Sequence, residues 1–173
     1  MVAGDHPPPS VARRLSGLVA PPRCAVCGAP CAGASVLCAG CALELGSDPA
    51  ATGAPLPPPA SVPAPPGVEL LVAAWPFEGA ARGLVHGLKF GRRLSLARVA
   101  AARIASLAEG LEGDLVPVPP SPMRRAWRGF DPAEEIALAL APLLGLPLRR
   151  CLRRGHGPRQ VGRPRRVRLA DPP

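Results

Sequence analysis

Four cysteines carry the clearest chemistry in this 173-residue chain. Cys24-Ala-Val-Cys27 and Cys38-Ala-Gly-Cys41 are two C-x-x-C knuckles separated by ten residues. Each knuckle aims two sulfurs at a common point, and four thiolates on a tetrahedron form a closed structural zinc site. Gly28 and Gly40 let backbone amides come close to the thiolates. A stretch of about 25 residues cannot bury a core of its own, so in such a module the metal supplies the folding energy. A redox dithiol or two disulfides compete with this reading. For a spaced pair of knuckles in a reducing compartment, metal is the favoured one. All four positions are taken by protein ligands, so no water-activating chemistry is expected. Cys31 lies between the knuckles as a spare thiol, able to replace a ligand in a weaker site, and Cys151 reads as buried packing.

The remaining candidates are basic. The formal net charge is +9, and residues 149–168 alone hold nine arginines and no acid. Such an excess fits a polyanionic partner, either nucleic acid or a phosphorylated small molecule. The chain has 20 Arg and a single Lys, Lys89, in an alphabet skewed toward Ala, Arg, Gly and Pro. A lysine kept against that drift marks a place where a compact point charge has a use, although a solvated cation at a helix end is the competing reading. His86 reads either as a substrate contact or as an ordinary helix histidine. Trp127 reads as packing or as a platform for a base. Asp131, Glu134 and Glu135 are better explained by helix capping than by acid–base catalysis.

Several elements must position these residues. Residues 11–20 suggest a short helix with Leu15, Leu18 and Val19 on one face. The chain divides into a leader (1–20), the cysteine module (21–46), a linker (47–67) and a larger domain (68–173). Eight of the eighteen residues from Pro49 to Pro66 are proline, which makes the linker extended and semi-rigid. Val68–Trp75 reads as a buried strand. Ala80, Leu84 and Leu88 predict a helix that Gly91 ends. Ala97, Ala100, Ala101, Ile104, Leu107 and Ala108 predict a second, stopped at Glu109-Gly110. Residues 114–118 predict another strand. Asp131, Pro132 and Glu134 open a third helix as N-cap, first helical residue and capping-box acid. Its buried stripe is Ile136, Leu140 and Leu143, and Pro142 is expected to kink or end it. Residues 147–152 predict a third strand. Strands alternating with helices argue an α/β layer on a parallel sheet. Neither a secretory signal nor a span of about 20 apolar residues is visible, so a soluble, cytoplasmic protein is expected.

Five segments fall in a familiar order: the cysteine module, Leu84-Val-His-Gly-Leu-Lys-Phe-Gly91, Val116-Pro-Val-Pro119, Arg124-Arg-Ala-Trp-Arg-Gly-Phe-Asp-Pro132, and Leu152-Arg-Arg with Pro158-Arg-Gln160. Together they resemble the ComF family, the phosphoribosyltransferase-like proteins associated with natural competence. The resemblance covers most of the chain except the linker. It implies a type I phosphoribosyltransferase fold behind the zinc module, with Pro119–Gly129 as the loop that handles pyrophosphate. Lys89, Arg124, Arg125, Arg128 and Gly129 are then expected to hold phosphate, since anions want arginine forks and close backbone amides. Residues 155–168, with Arg159 and Gln160, resemble the mobile loop that closes over the reaction centre. Phosphoribosyl pyrophosphate and Mg2+ are the ligands expected of the intact family, and single-stranded DNA and the DNA-uptake machinery are its expected partners. The family's paired-acid, Thr-Thr-Gly type motif does not occur in these 173 residues, whose only threonine is Thr52. The expectation is therefore a C-terminally truncated form with an incomplete parallel sheet, unable to catalyse transfer. The alternatives are a non-catalytic, zinc-stapled module for single-stranded DNA or a partner protein, and a degenerate gene product.

Overall fold

The computed structural model describes residues 22–31, 33, 35–47, 60, 61, 64 and 66–154, with 162, 164, 166 and 167 beyond them. The expected helix at 11–20, most of the linker, and Arg159 and Gln160 of the expected mobile loop lie outside the described residues. A short helix, α1 (Ala39–Glu44), follows the first cysteine turns. β1 (Ala60–Ser61) and β2 (Val72–Ala73) pair antiparallel. Four helices follow: α2 (Gly79–Phe90), α3 (Ser95–Leu107), α4 (Pro122–Arg128) and α5 (Pro132–Leu144).

The helices form where the apolar spacing placed them. α2 buries Ala80, Ala81, Leu84 and Leu88, and α3 buries Leu96, Ala97, Ala100 and Ala101. These positions recur at three and four residues, which is one stripe of a helix. The small alanines of α3 permit close approach, and its most extensive packing is against α5. Asp131 caps α5 as expected, with Oδ1 accepting from the amides of Ala133 (2.9 Å) and Glu134 (3.4 Å).

Several expectations are corrected. Val68–Trp75 is not a buried strand. Only Val72 and Ala73 are strand, and Val68, Leu70, Leu71 and Val72 are exposed. The expected strands at 114–118 and 147–152 reduce to one isolated parallel bridge between Leu115 and Leu148. It is closed by Leu115 N–H to Pro147 O (2.8 Å) and Arg149 N–H to Leu115 O (2.9 Å). Among the described residues the only sheet is the β1–β2 pair, so no parallel sheet is formed. The prolines at 117, 119, 120 and 147 explain the shortness, since each removes a ladder donor. Pro142 does not stop α5, which runs on to Leu144 and ends at Gly145 (φ 67°). Leu143 is exposed rather than buried, while Leu140 is buried. Glu134 does not close a capping box. Its carboxylate turns outward to Arg125 (3.3 Å) and Arg150. Cys151 is exposed, not core packing. No helix among the described residues is long and apolar enough to cross a membrane.

The cysteine turns and the helices share one core. Cys24, Leu37, Cys41 and Leu45 pack with Ala80, Ala81, Leu84, Leu88, Leu96, Ala97 and Ala100. Glycines on α2 make the approach possible. A Cβ on Gly87 would lie 3.0 Å from the Ala25 carbonyl and 2.7 Å from Leu96 Cδ1. Gly→Ala inside an open helix stabilises by about 1 kcal/mol. Here the backbone carbonyl cannot move aside cheaply, so Gly87→Ala is expected to destabilise by about 1–3 kcal/mol. Urea unfolding of the two forms measures the sign.

Candidate metal centre and the adjoining cationic face

A tight turn carries the first knuckle. Cys24 N–H donates to Ala29 O (2.7 Å), and Gly28 N–H donates back to Cys24 O (3.0 Å). Gly28 sits at φ 80°, a left-handed conformation that glycine adopts without steric cost. The second knuckle opens α1. Cys38 is its N-cap and Cys41 lies three residues on, so both sulfurs leave the same side of the first turn. Ala25 N–H to Val36 O (2.8 Å) ties the two knuckles together.

The result is a cluster. The Sγ atoms of Cys24, Cys27, Cys38 and Cys41 all lie within 4.8 Å of one another, and Cys27 and Cys38 are 3.6 Å apart. Four sulfurs bound at ~2.3 Å to one zinc ion sit about 3.8 Å apart on a tetrahedron. Disulfide bonding would require roughly 2 Å, and none of the six cysteines is bridged. The donor set therefore fits a tetrahedral ion such as zinc, with Cys24 and Cys41 buried and Cys27 at the exposed edge.

Electrostatics argue the same way. Burial pushes the Cys24 thiol up, but amide hydrogen bonds at Cys27, Cys38 and Val26 outweigh it and lower it from 9.0 to about 6. The Val26 amide lies 3.4 Å from its sulfur. Cys41 moves the opposite way, raised by burial first and then by the thiols of Cys27, Cys38 and Cys24. One thiolate thus forms readily and suppresses ionisation of its neighbour. A divalent cation relieves that conflict. Cys31 stands outside the close set of four, with its Sγ 3.9 Å from Ala29 O. Burial and then the charges of Cys24 and Cys38 push its thiol up.

Beyond the far end of α2 lies a group of cations. Lys89 occupies the last turn, and its ammonium is lowered from the ordinary 10.5 by burial and then by Arg128 and Arg124. Arg124 and Arg128 are four residues apart on α4 and share a face. Arg128 is only 8% exposed. Its guanidinium carbon lies 5.2 Å from the centre of the Phe90 ring, and its Nε has no hydrogen-bond partner among the described residues. Gly129 ends α4 at φ 77°, and a Cβ there would stand 3.6 Å from Arg92 Nη2. The structure thus brings Lys89, Arg124, Arg128 and Gly129 together. Arg125 is instead held by Glu134.

Sequence reasoning missed Arg92, Phe90 and the buried Arg103. Arg103 donates from Nε to Ala74 O (3.3 Å). Arg92 has φ 52°, the one non-glycine in the left-handed region among the described residues, and nothing in its identity announces that. His86 is exposed between the Phe77 and Phe90 rings, with centroids 6.5 and 5.4 Å away. Trp127 is 72% exposed, which removes the packing explanation for it.

Two outcomes test the metal centre. Because Cys24 is largely ionised at pH 7 and Cys41 is not, zinc loading is expected to release fewer than four protons, and affinity is expected to fall as pH drops. Calorimetry in buffers of different ionisation enthalpy counts the protons. Cys41→Ser, which removes a buried ligand, is expected to abolish zinc retention and lower the thermal midpoint by more than 10 °C, read by metal content and calorimetric scan (more than about 3 kcal/mol for a chain of this size). Compared with known proteins, the chain matches no protein-family model, no curated protein and no solved structure.

Proposed function

We propose that this chain is a ComF-like, phosphoribosyltransferase-related protein. In this reading a structural zinc module supports a cationic face that holds a phosphorylated ligand, in the service of DNA uptake. The observation that carries the reading is the convergence of Lys89, Arg124 and Arg128 at Gly129, with one guanidinium buried and its Nε unpaired among the described residues. Burying a charged donor without a partner is costly, and a bound phosphate oxygen supplies the missing acceptor. The isolated parallel bridge Leu115–Leu148 joins the chain before α4 to the chain after α5, and a crossover of that sense supports an α/β relationship. The activity proposed for these residues is binding of the phosphorylated ligand.

A second reading has its own support. Phe77, Phe90 and Trp127 are all more than half exposed, and His86 and Arg128 stand against Phe90. Rings beside cations are the pattern that binds single-stranded DNA, by stacking bases and neutralising phosphates.

Pyrophosphate and an oligothymidylate, titrated by calorimetry and by fluorescence anisotropy, separate the two. On the first reading pyrophosphate binds, Lys89→Ala and Arg124→Ala each weaken it about tenfold, and affinity declines as pH rises through the lowered Lys89 titration. On the second, only the oligonucleotide binds. Its affinity then falls with salt at a log–log slope of about −0.7 per phosphate neutralised. Pyrophosphate binding unaffected by both substitutions contradicts the first reading.

A further inference from the structure

The metal module packs along α2, whose C-terminal end carries the cationic face, and it holds the chain at both ends of that helix. At the N-terminus, Glu78 makes no side-chain cap. The cap comes from 36 residues upstream, where Glu44 at the end of α1 accepts the Ala80 amide at 2.6 Å. Gly79 (φ 45°) leaves the space for it, since a Cβ there would lie 1.8 Å from the same oxygen. Trp75 Nε1 donates to Leu45 O (3.2 Å) beside this contact.

At the C-terminus, Arg93 reaches back. Its Nη1 donates to the carbonyl of Ala25 at 2.6 Å and lies 3.5 Å from that of Cys24, within the loop that carries the first metal ligands. Its own amide donates to Gly87 O at 3.1 Å. The residue before it is Arg92, whose left-handed φ costs of order 1–3 kcal/mol and persists only where its surroundings hold it. The Arg92 guanidinium lies against Gly129, the residue after Arg128, where a Cβ would stand 3.6 Å from its Nη2. The side chain that grips the ligand loop and a side chain at the cationic face therefore belong to adjacent residues.

We infer that Glu44 and Arg93 are positioning residues through which metal occupancy sets phosphate affinity. With the ion bound, the Cys24–Cys27 turn and α1 are fixed, so the Ala25 carbonyl and the Glu44 carboxylate stand where α2 needs them. Without it, four crowded thiols no longer share a cation, both holds loosen, and Arg92 and Lys89 lose their common aim. The two ligands are then linked, each tightening the other by the same factor. This rests on the phosphate-binding reading above.

The discriminating variant is Glu44→Ala in the zinc-loaded full chain, with pyrophosphate as the probe. It removes a negative charge, so simple electrostatics would strengthen anion binding. A positioning role has the opposite sign. Glu44→Ala is expected to keep one zinc per chain and to bind pyrophosphate at least fivefold more weakly. Glu44→Gln, which keeps an acceptor for the Ala80 amide, is expected to stay within twofold of the parent. In the unmodified protein, chelating the zinc is expected to speed hydrogen exchange at the amides of residues 80–84 and 91–94. Pyrophosphate binding by Glu44→Ala as tight as the parent's, or tighter, overturns the inference. So does exchange at those amides that is unchanged by chelation. If the loaded parent binds no pyrophosphate, the phosphate reading falls, and the exchange measurement alone decides whether metal occupancy holds the ends of α2. The same measurement decides if Glu44→Ala fails to fold.

Discussion

Four thiols pressed into one small volume are the constraint on which the rest of this structure depends. Their sulfurs stand within 4.8 Å of one another, and ionising Cys24 makes Cys41 harder to ionise. No arrangement of neutral side chains resolves this as well as one divalent ion, whose binding in comparable modules is worth about 10–16 kcal/mol. That is comparable to the whole net stability of a typical domain. An ion held by these four sulfurs would therefore decide whether the surrounding chain is ordered.

The cysteine turns do not stand apart from the helices. Cys24 and Cys41 belong to the same buried cluster as Leu84, Leu88 and Leu96, and polar contacts from Glu44, Leu45 and Ala25 hold Ala80 at the start of α2 and Trp75 and Arg93 on either side of it. This helix in turn carries Lys89 and Phe90 to the face where Arg124 and Arg128 gather. Order passes from metal to loop, from loop to helix, and from helix to the cations. Phosphate recognition by arginine forks depends on fixed geometry, so a face built this way gains more from rigidity than from added charge.

The legible features were those with short-range causes. Two C-x-x-C spacings sufficed for the metal ligands, apolar periodicity for α2 and α3, and Asp131 before Pro132 for the start of α5. What escaped depended on partners far along the chain. Glu44 reads as an ordinary surface acid until α2 is docked on it, and Arg103 as a solvated cation until Ala74 O is beside it. The stretch from Val68 to Trp75 has the composition of a core strand, but only β1 pairs with it and most of its side chains face outward. The resemblance to the ComF family pointed at Arg125 as well, and its ion pair with Glu134, nine residues on, was not legible in the sequence.

X-ray absorption at the zinc edge tests the closed four-thiolate site most directly. The expected result is one zinc ion per chain with four sulfur neighbours at about 2.3 Å. Nitrogen or oxygen in that shell, or a folded protein carrying no zinc, would contradict it.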